Sequence, residues 1–124
     1  MKRLIPAVII TVIIIGAFLG SYLYINNVCD TAYEGVESCL KEYEEHGTAK
    51  ADATWLKNYW SDKEKILSFF VNHAIIDEIE LAVSNIELHS KFKNNYMFYE
   101  ACDTVKILLH QIIEETKPTT HSIF

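Results

Sequence analysis

The segment FVNHAIIDEIE, residues 70–80, places a histidine and three carboxylates within an otherwise apolar stretch. If the segment is helical, steps of four and three residues bring a set of polar side chains to one face. That set is His73, Asp77, Glu80, Ser84 and Glu87. Imidazole and carboxylate groups together are suitable ligands for zinc, iron or manganese, and a histidine can exchange a proton near neutral pH. This face is therefore the first candidate for a metal-binding or proton-binding site.

A second pair of such residues lies near the end of the chain, where His110 and Glu114 are one helical turn apart. An antiparallel hairpin that turns near Asn94 would bring His73 level with Glu114 or Glu115, and Asp77 level with His110 or Gln111. Helical bundles commonly build metal centres from side chains on facing helices, so the metal-ligand candidates are His73, Asp77, His110 and Glu114. The repeated Glu-x-x-His pattern of di-iron bundles and the HExxH motif are both absent. We therefore expect a hydrogen-bonded structural seam, without a cofactor, and keep a metal- or pH-sensing cluster as the alternative.

Sequence motifs of enzymes are also absent. The chain contains no G-x-S-x-G nucleophile turn, no phosphate-binding P-loop and no glycine-rich dinucleotide turn. Cys39 and His46 are the nearest cysteine and histidine in sequence, but on one helix two turns, or about 10 Å, would separate them. The sequence therefore predicts a protein without catalytic activity.

Helical spacing of apolar residues recurs throughout the chain, while glycine and proline are scarce. After an N-terminal apolar run, one helix is predicted to end at His46-Gly47, a typical helix C-terminus. Its apolar face is Val28, Ala32, Val36, Leu40 and Tyr43. We expect this helix to continue from the apolar run, with Asn26-Asn27 as the only place for a kink.

Three further helices are predicted. The first spans about residues 49–72, and its aromatic stripe would supply much of the core: Trp55, Leu56, Tyr59, Trp60, Lys63, Ile66, Leu67 and Phe70. Asn72 then suits either a left-handed helix end or the N-cap of the next helix. The fold class is therefore all-α: an N-terminal transmembrane helix followed by a small antiparallel bundle of three to four helices.

The last two predicted helices would form a hairpin around a tight turn at residues 93–95. The apolar face of the first is Ile75, Ile76, Ile79, Val83 and Ile86. The second spans about residues 96–116, with Phe98, Cys102, Val105, Leu109 and Ile112 on its apolar face. Lys117-Pro118 would end it and leave a short tail at residues 119–124.

The run from Leu4 to Ile25 contains no charged side chain. As a helix it would span roughly 33 Å, enough for a hydrocarbon core of roughly 30 Å. Lys2 and Arg3 precede the run, so the positive-inside rule places the N-terminus in the cytoplasm of a single-pass cell-membrane protein. We expect residues 1–25 to form an N-terminal signal-anchor transmembrane helix and residues 26–124 to form an extracytoplasmic acidic bundle with a short C-terminal tail.

Two details of the apolar run bear on its role. A cleaved signal peptide, the rival interpretation, would have an apolar run of roughly 7–15 residues and a small-residue cleavage site, and neither is present. Gly16 and Gly20 are four residues apart, a spacing that occurs where membrane helices contact each other. Small residues without a contact role are the simpler explanation of that pair.

The part of the chain beyond the apolar run is acidic. With Lys2 and Arg3 set aside, nine basic residues remain against 17 acidic ones, a net charge of −8. Such a surface repels nucleic-acid phosphates and anionic lipid headgroups, which argues against a nucleic-acid partner. The expected partners are the lipid bilayer, through Leu4 to Ile25, and a membrane or envelope protein, with self-association as a further option.

The three cysteines cannot all pair within one molecule. Cys29 and Cys39 would lie about 15 Å apart on a straight helix, beyond the roughly 7 Å limit for a disulfide, whereas a bridge from either to Cys102 stays open. We expect Cys39 and Cys102 to be small core residues. Cys29, just outside the predicted span, is the better candidate for an intermolecular disulfide.

Several short motifs together resemble a known family. They are the basic start and apolar run of residues 2–25, Trp60-x-x-Lys63, Phe70-x-x-His73, Asp77-x-x-Glu80 and the closing Ile123-Phe124. On these residues the whole chain resembles a family of short, single-span membrane proteins from Firmicutes that is catalogued as a domain of unknown function. Members tend to end in Asn-Ile-Phe, whereas Ser122 stands in place of the asparagine here. The resemblance implies architecture and membrane attachment, and it implies no activity, ligand or catalytic residue.

The anchor, the acidic surface and the lack of catalytic motifs lead to one functional hypothesis. The chain is expected to be a membrane-anchored helical interaction or accessory module of the bacterial cell envelope. The alternative is a divalent-metal-binding or metal- or pH-sensing bundle that uses His73, Asp77, His110 and Glu114.

Overall fold

A computed structural model of the chain describes residues 2–116, which form four α-helices joined by short turns. The helices are α1 (Leu4–His46), α2 (Lys50–Leu67), α3 (His73–Lys91) and α4 (Asn95–Thr116). The main contacts are those of α1 with α2 and α4, and of α3 with α2 and α4. The all-α antiparallel bundle is confirmed, and no strand occurs within residues 2–116. The predicted stop at Lys117-Pro118 and the tail at residues 119–124 lie outside the described residues.

Helix α1 passes through Asn26-Asn27 without interruption, as the sequence predicts. Every residue from 4 to 20 is exposed, whereas one face of the helix is buried between Ile25 and Tyr43. The helix ends where Gly47 adopts a left-handed conformation (φ 74°) and donates its N–H to the Tyr43 carbonyl oxygen at 2.8 Å. Glycine suits this position because it has no Cβ to clash in that conformation.

The core lies where the faces of the four helices meet. The predicted apolar faces of α3 and α4 are all buried, and those of α1 are buried except for the half-buried Leu40. The largest fully buried side chains are Trp60, Phe98, Leu56, Leu67, Ile79 and Ile86. One indole and one phenyl ring, from α2 and α4, thus fill the centre of the bundle.

The prediction for α2 is wrong in two respects. The helix ends at Leu67, because residues 68–71 form a turn, and it does not extend to Asn72. The aromatic stripe is wider than the buried face, so that Trp55, Ile66 and Phe70 are exposed. Trp55 stacks on Tyr59 outside the core, with ring centroids 5.1 Å apart.

The turn between α2 and α3 is set by Asn72, whose side-chain Oδ1 accepts the N–H of Ala74 at 2.8 Å. Asn72 is therefore the N-cap of α3, one of the two roles predicted for it. The turn lies beside the first part of α1, since Phe70 and Phe18 line the same crevice. We call this the proximal end of the bundle, and we call the opposite end, with the α1–α2 and α3–α4 turns, the distal end.

Buried hydrogen bonds close the distal end. Ser90 is almost fully buried, and its Oγ accepts the N–H of Ala49 at 2.6 Å, which ties α3 to the α1–α2 turn. The Tyr43 hydroxyl donates to the Asn95 side chain at the start of α4. The tight turn predicted at residues 93–95 is present one residue earlier, at residues 92–94, with Lys93 in the left-handed region (φ 56°).

Helices α1 and α2 lie in close contact at Gly35. A Cβ placed on Gly35 would lie 2.9 Å from Cζ3 of Trp55 and 3.0 Å from Cδ1 of Leu56. Gly16 and Gly20, for which the absence of a contact role was the simpler explanation, are different, since a Cβ at either position meets no atom within 4 Å in the described chain. The glycine that serves helix packing in this bundle is therefore Gly35.

Candidate functional site

The four metal-ligand candidates do not form one cluster. His73 and Asp77 are exposed on α3, and His110 and Glu114 are exposed on α4. His110 Nε2 lies 3.8 Å from Glu114 Oε1, an interaction within α4 only. Within residues 2–116, no group of three or more His, Cys, Asp or Glu side chains is arranged to hold a metal ion.

The expected seam between α3 and α4 fails for a physical reason. The two helices meet through apolar faces, with Ile79 and Val83 on α3 and Val105 and Leu109 on α4 all buried. Because those faces point inward, the polar faces of both helices are turned away from each other. Residues that lie level along a hairpin can therefore point in different directions around it.

The polar face of α3 instead approaches α2. Burial raises the pKa of Glu64 above its ordinary value of 4.5, and so do the charge of Glu80, a hydrogen bond with Glu80, and the charge of Asp77. Glu64 Oε2 is buried and has no hydrogen-bond partner among the described residues. A proton shared between Glu64 and Glu80 would satisfy that oxygen, since two ionised carboxylates cannot hydrogen-bond to each other.

A second carboxyl pair joins α1 to α2. Burial raises the pKa of Glu42, as do a hydrogen bond with Asp52 and the charge of Asp52. Each of the two carboxyl pairs thus has one member on α2. The other member is Glu80 on α3 in the first pair and Glu42 on α1 in the second. Chemically, such pairs can take up a proton as the pH falls.

The three cysteines are buried free thiols. Burial is the largest cause that raises the pKa of Cys29, Cys39 and Cys102, each to about 12. The core location predicted for Cys39 and Cys102 is confirmed. The intermolecular disulfide predicted for Cys29 does not fit, because this side chain lies in the core of the bundle with no exposed surface. Neutral, enclosed thiols are poor nucleophiles.

One partly apolar surface feature is a groove between α3 and α4, which we call the α3–α4 groove. It encloses about 200 Å³, and Leu81, Met97 and the alanines 82 and 101 form its apolar part. Glu78 and Glu100 add carboxylates. Leu81 is 65% exposed, a large fraction for a leucine in the middle of a helix.

The sequence interpretation missed the α3–α4 groove. Leu81 lies two residues after Ile79, off the apolar face of α3, and was not part of any predicted pattern. Its signal is the isolated leucine on a part of α3 shared with Glu78 and Asn85, which line the same groove. An exposed leucine by itself is common on protein surfaces, and only the structure shows it beside Met97 of the next helix.

Comparison with protein families identifies a family for most of the chain. Residues 19–123 match the family described as "Domain of unknown function (DUF4363)". The chain belongs to the DUF4363 family. The match begins near the end of the exposed apolar part of α1 and covers all of α2, α3 and α4. The residues that distinguish this DUF4363 chain as a family member are therefore those of the bundle.

Neither the curated proteins nor the solved structures contain a protein that matches the chain. The resemblance to a domain of unknown function, drawn from the short motifs, agrees with the DUF4363 match. The family description assigns no activity, so the function has to be argued from the bundle and from α1.

Proposed function

We propose that the protein is a membrane-anchored helical interaction module of the bacterial cell envelope. The observation that carries this proposal is in α1: an entirely exposed apolar segment continues, as one helix, into the core of an acidic bundle. An exposed surface of this kind is stable only where water is replaced by lipid or another apolar partner. In the proposal the apolar part crosses the bilayer with Lys2 and Arg3 in the cytoplasm, and the bundle lies outside.

The bundle acts by binding a partner, and the α3–α4 groove is the proposed binding surface. Its apolar part is open to solvent, and Glu78 and Glu100 line it. The complementary partner is an amphipathic helix that presents apolar side chains to Leu81 and Met97 and basic side chains to the two glutamates. The net charge of −8 beyond residue 25 also favours a basic partner surface.

Membrane extraction tests the anchor. The chain is expected to stay with membranes after an alkaline carbonate wash, and added protease is expected to digest the bundle in intact protoplasts. Replacing both Ile10 and Ile14 with arginine should release the chain, since each arginine at the middle of a membrane helix costs roughly 2.5–3.5 kcal/mol. The matched control is Ile107→Arg, on the exposed surface of α4, which should stay with the membranes. Release of the unsubstituted chain by carbonate, or a protease-resistant C-terminus, would contradict the proposal.

Site-directed photo-crosslinking tests the α3–α4 groove. A photoreactive phenylalanine at position 81 should give a discrete adduct with one membrane protein, and the adduct should disappear in the Glu78→Lys, Glu100→Lys double variant. The control position is 107. The exposed fraction of Ile107, 61%, is similar to the 65% of Leu81, but Ile107 does not line the groove. Equal adducts at both positions, or adducts that the charge reversal leaves unchanged, would rule out specific docking in this groove.

A further inference from the structure

The turn at the proximal end carries two adjacent phenylalanines that the bundle leaves outside. Phe69 is 82% exposed and Phe70 is 51% exposed. Their neighbours Leu67 and Val71 are buried, and the backbone is fixed by hydrogen bonds from Phe70 N–H and Val71 N–H to the Leu67 carbonyl oxygen at 2.9 and 2.8 Å. Because Leu67 and Val71 hold the turn in place, both phenylalanines are presented outward on a defined backbone.

The position of this turn along α1 is also defined. Phe70 lines one crevice with Phe18, Ser21, Tyr22 and Ile25. The turn therefore lies level with the last turns of the apolar run. The two phenylalanines extend an apolar surface that α1 already presents at this height.

The helical rise of α1 gives the depth at which the α2–α3 turn would lie in a bilayer. A hydrocarbon core of roughly 30 Å corresponds to about 20 helical residues, so a span centred on Leu4 to Ile25 places Ile25 at its outer edge. On the same rise, Tyr22 lies about 4 Å and Phe18 about 10 Å inside that edge. Aromatic side chains are enriched at this depth, where hydrocarbon meets headgroups.

We propose that Phe69 and Phe70 insert into the outer membrane interface and form a second lipid contact of the bundle, in addition to α1. This inference rests on the membrane anchor of the proposed function. The partner of the exposed Phe69 and Phe70 side chains is the bilayer itself, because the α2–α3 turn lies beside the end of the α1 segment that lipid surrounds in the proposed function. The contact would hold the bundle against the membrane at the α2–α3 turn and leave the distal end free.

The same crevice limits how deep the turn goes. Glu115 and Thr116 also line it, and Gln111 Nε2 donates to Glu115 Oε1 at 3.2 Å. A carboxylate is costly inside hydrocarbon, so the turn reaches the interface and does not enter the middle of the bilayer. The insertion is therefore confined to the depth of an aromatic belt.

The distal end provides a matched control. Phe92 is 68% exposed in the α3–α4 turn, beside Lys91 and Lys93. It lies near the contact of Ser90 with Ala49, just beyond the end of α1. That end, at His46, is 21 residues or roughly 30 Å beyond Ile25 and the proposed membrane edge. Phe92 is thus a similarly exposed phenylalanine in a similar turn, too far from the bilayer to touch it.

Fluorescence quenching of the full chain tests the inference. Phe69→Cys, Phe92→Cys and Ile13→Cys are each labelled with an environment-sensitive dye, in vesicles of phosphatidylethanolamine and phosphatidylglycerol. The three native cysteines are buried and should not label. The dye at 69 should emit at shorter wavelength than the dye at 92, and a nitroxide placed near the lipid headgroup should quench it several-fold more strongly. The dye at 92 should respond only to iodide in the water.

The three positions separate the possible failures. If the dye at 13 is quenched by a nitroxide deep in the acyl chains while the dye at 69 responds to iodide as the dye at 92 does, the second contact is wrong and the anchor stands. If the dye at 13 also responds to iodide, the anchor itself is wrong. A dye at 69 that neither lipid nitroxide nor iodide reaches would indicate a protein contact and overturn the inference.

A measurement without any substitution provides an independent check. Hydroxyl-radical footprinting of the unsubstituted chain in vesicles should modify Phe92 several-fold faster than Phe69, although Phe69 is the more exposed of the two in the protein alone. Equal rates of modification would contradict lipid contact at the α2–α3 turn.

Discussion

The apolar first part of α1 and the bundle contrast in how they use the same residue types. From residue 4 to 20 the helix is apolar on all sides and every position is exposed. From Ile25 onward, apolar residues recur on one face, and that face is buried against α2 and α4. The period of the apolar residues, more than their number, therefore indicates whether a helix segment is packed by protein or left for another apolar environment.

The largest expected difference between the two regions comes from removing an apolar side chain. Leu56→Ala, at a fully buried position, should lower the free energy of unfolding by about 2–5 kcal/mol, because it removes buried surface and leaves a cavity. Ile13→Ala, in the exposed part of α1, should leave bundle stability unchanged. Urea unfolding of the full chain in detergent micelles, followed by tryptophan fluorescence, measures both. A similar loss for the two variants would mean that the first part of α1 belongs to the folded core.

Glycine-to-alanine substitutions sharpen the same contrast. Gly35→Ala would force Trp55 and Leu56 aside, and it should cost about 1–2 kcal/mol after the better helix propensity of alanine is included. Gly16→Ala meets no neighbouring atom and should not lower stability. The measurement is the midpoint of urea unfolding for each variant. A higher midpoint for Gly35→Ala would show that α1 and α2 can separate there without loss.

The pH dependence of stability is expected to arise in the bundle, at Glu64. The folded state raises the pKa of Glu64 above 4.5, so protonation of Glu64 stabilises the fold. This stabilisation is complete at a pH below the pKa of Glu64 in the unfolded chain. It is lost as the pH rises through the pKa of Glu64 in the folded chain. Glu64→Gln mimics the protonated form, so it should be more stable than the unsubstituted chain at pH 7. The advantage should shrink as the pH falls towards 4.5.

The control for Glu64 is Asp62→Asn, at an exposed carboxylate on the same helix. Its stability relative to the unsubstituted chain should change much less with pH over the same range. Thermal unfolding followed by circular dichroism between pH 4 and pH 7 measures both. An advantage of Glu64→Gln that is independent of pH would contradict a shared proton between Glu64 and Glu80.

The smallest expected effect is at an ion pair on the bundle surface. Lys106 Nζ lies 2.5 Å from Glu37 Oε1 and joins α4 to α1, with the two side chains 23% and 50% exposed. Glu37→Gln should cost about 0.2–1 kcal/mol, and the loss should fall at high salt, which screens such pairs. The comparison of unfolding at low and high salt checks this. A larger loss that salt does not change would indicate a role beyond charge attraction.

Much of the fold follows from local pattern. Apolar spacing predicted the buried faces of α3 and α4 correctly, because each helix packs on both neighbours through one stripe. The continuity of α1 and its end at Gly47 were also predictable, since neither depends on distant contacts. For α2, the stripe was broader than the buried face, and the spacing alone does not show that Trp55 lies at its outer edge.

The parts that the sequence did not predict are contacts between distant residues. Counting residues from the turn of the α3–α4 hairpin shows that Asp77 and His110 lie at the same level along the two helices. It does not show the direction in which each side chain points. Gly35 and Ser90 have no local signature, and their roles depend on Trp55 and Ala49, which come from other segments. The α3–α4 groove likewise depends on the rotation of α3 relative to α4, which only tertiary packing sets.

The unbroken α1 has a mechanical consequence. Its 43 residues form a rod about 65 Å long, with no hinge between the apolar part and the bundle. If the apolar part crosses a bilayer, as we propose, a change of about 20° in its inclination would swing the far turn at Gly47 sideways by roughly 11 Å, since that turn lies about 33 Å beyond Ile25. Any thickening or thinning of the surrounding bilayer that alters this inclination would therefore move the bundle as a lever arm and shift its reach towards a neighbour.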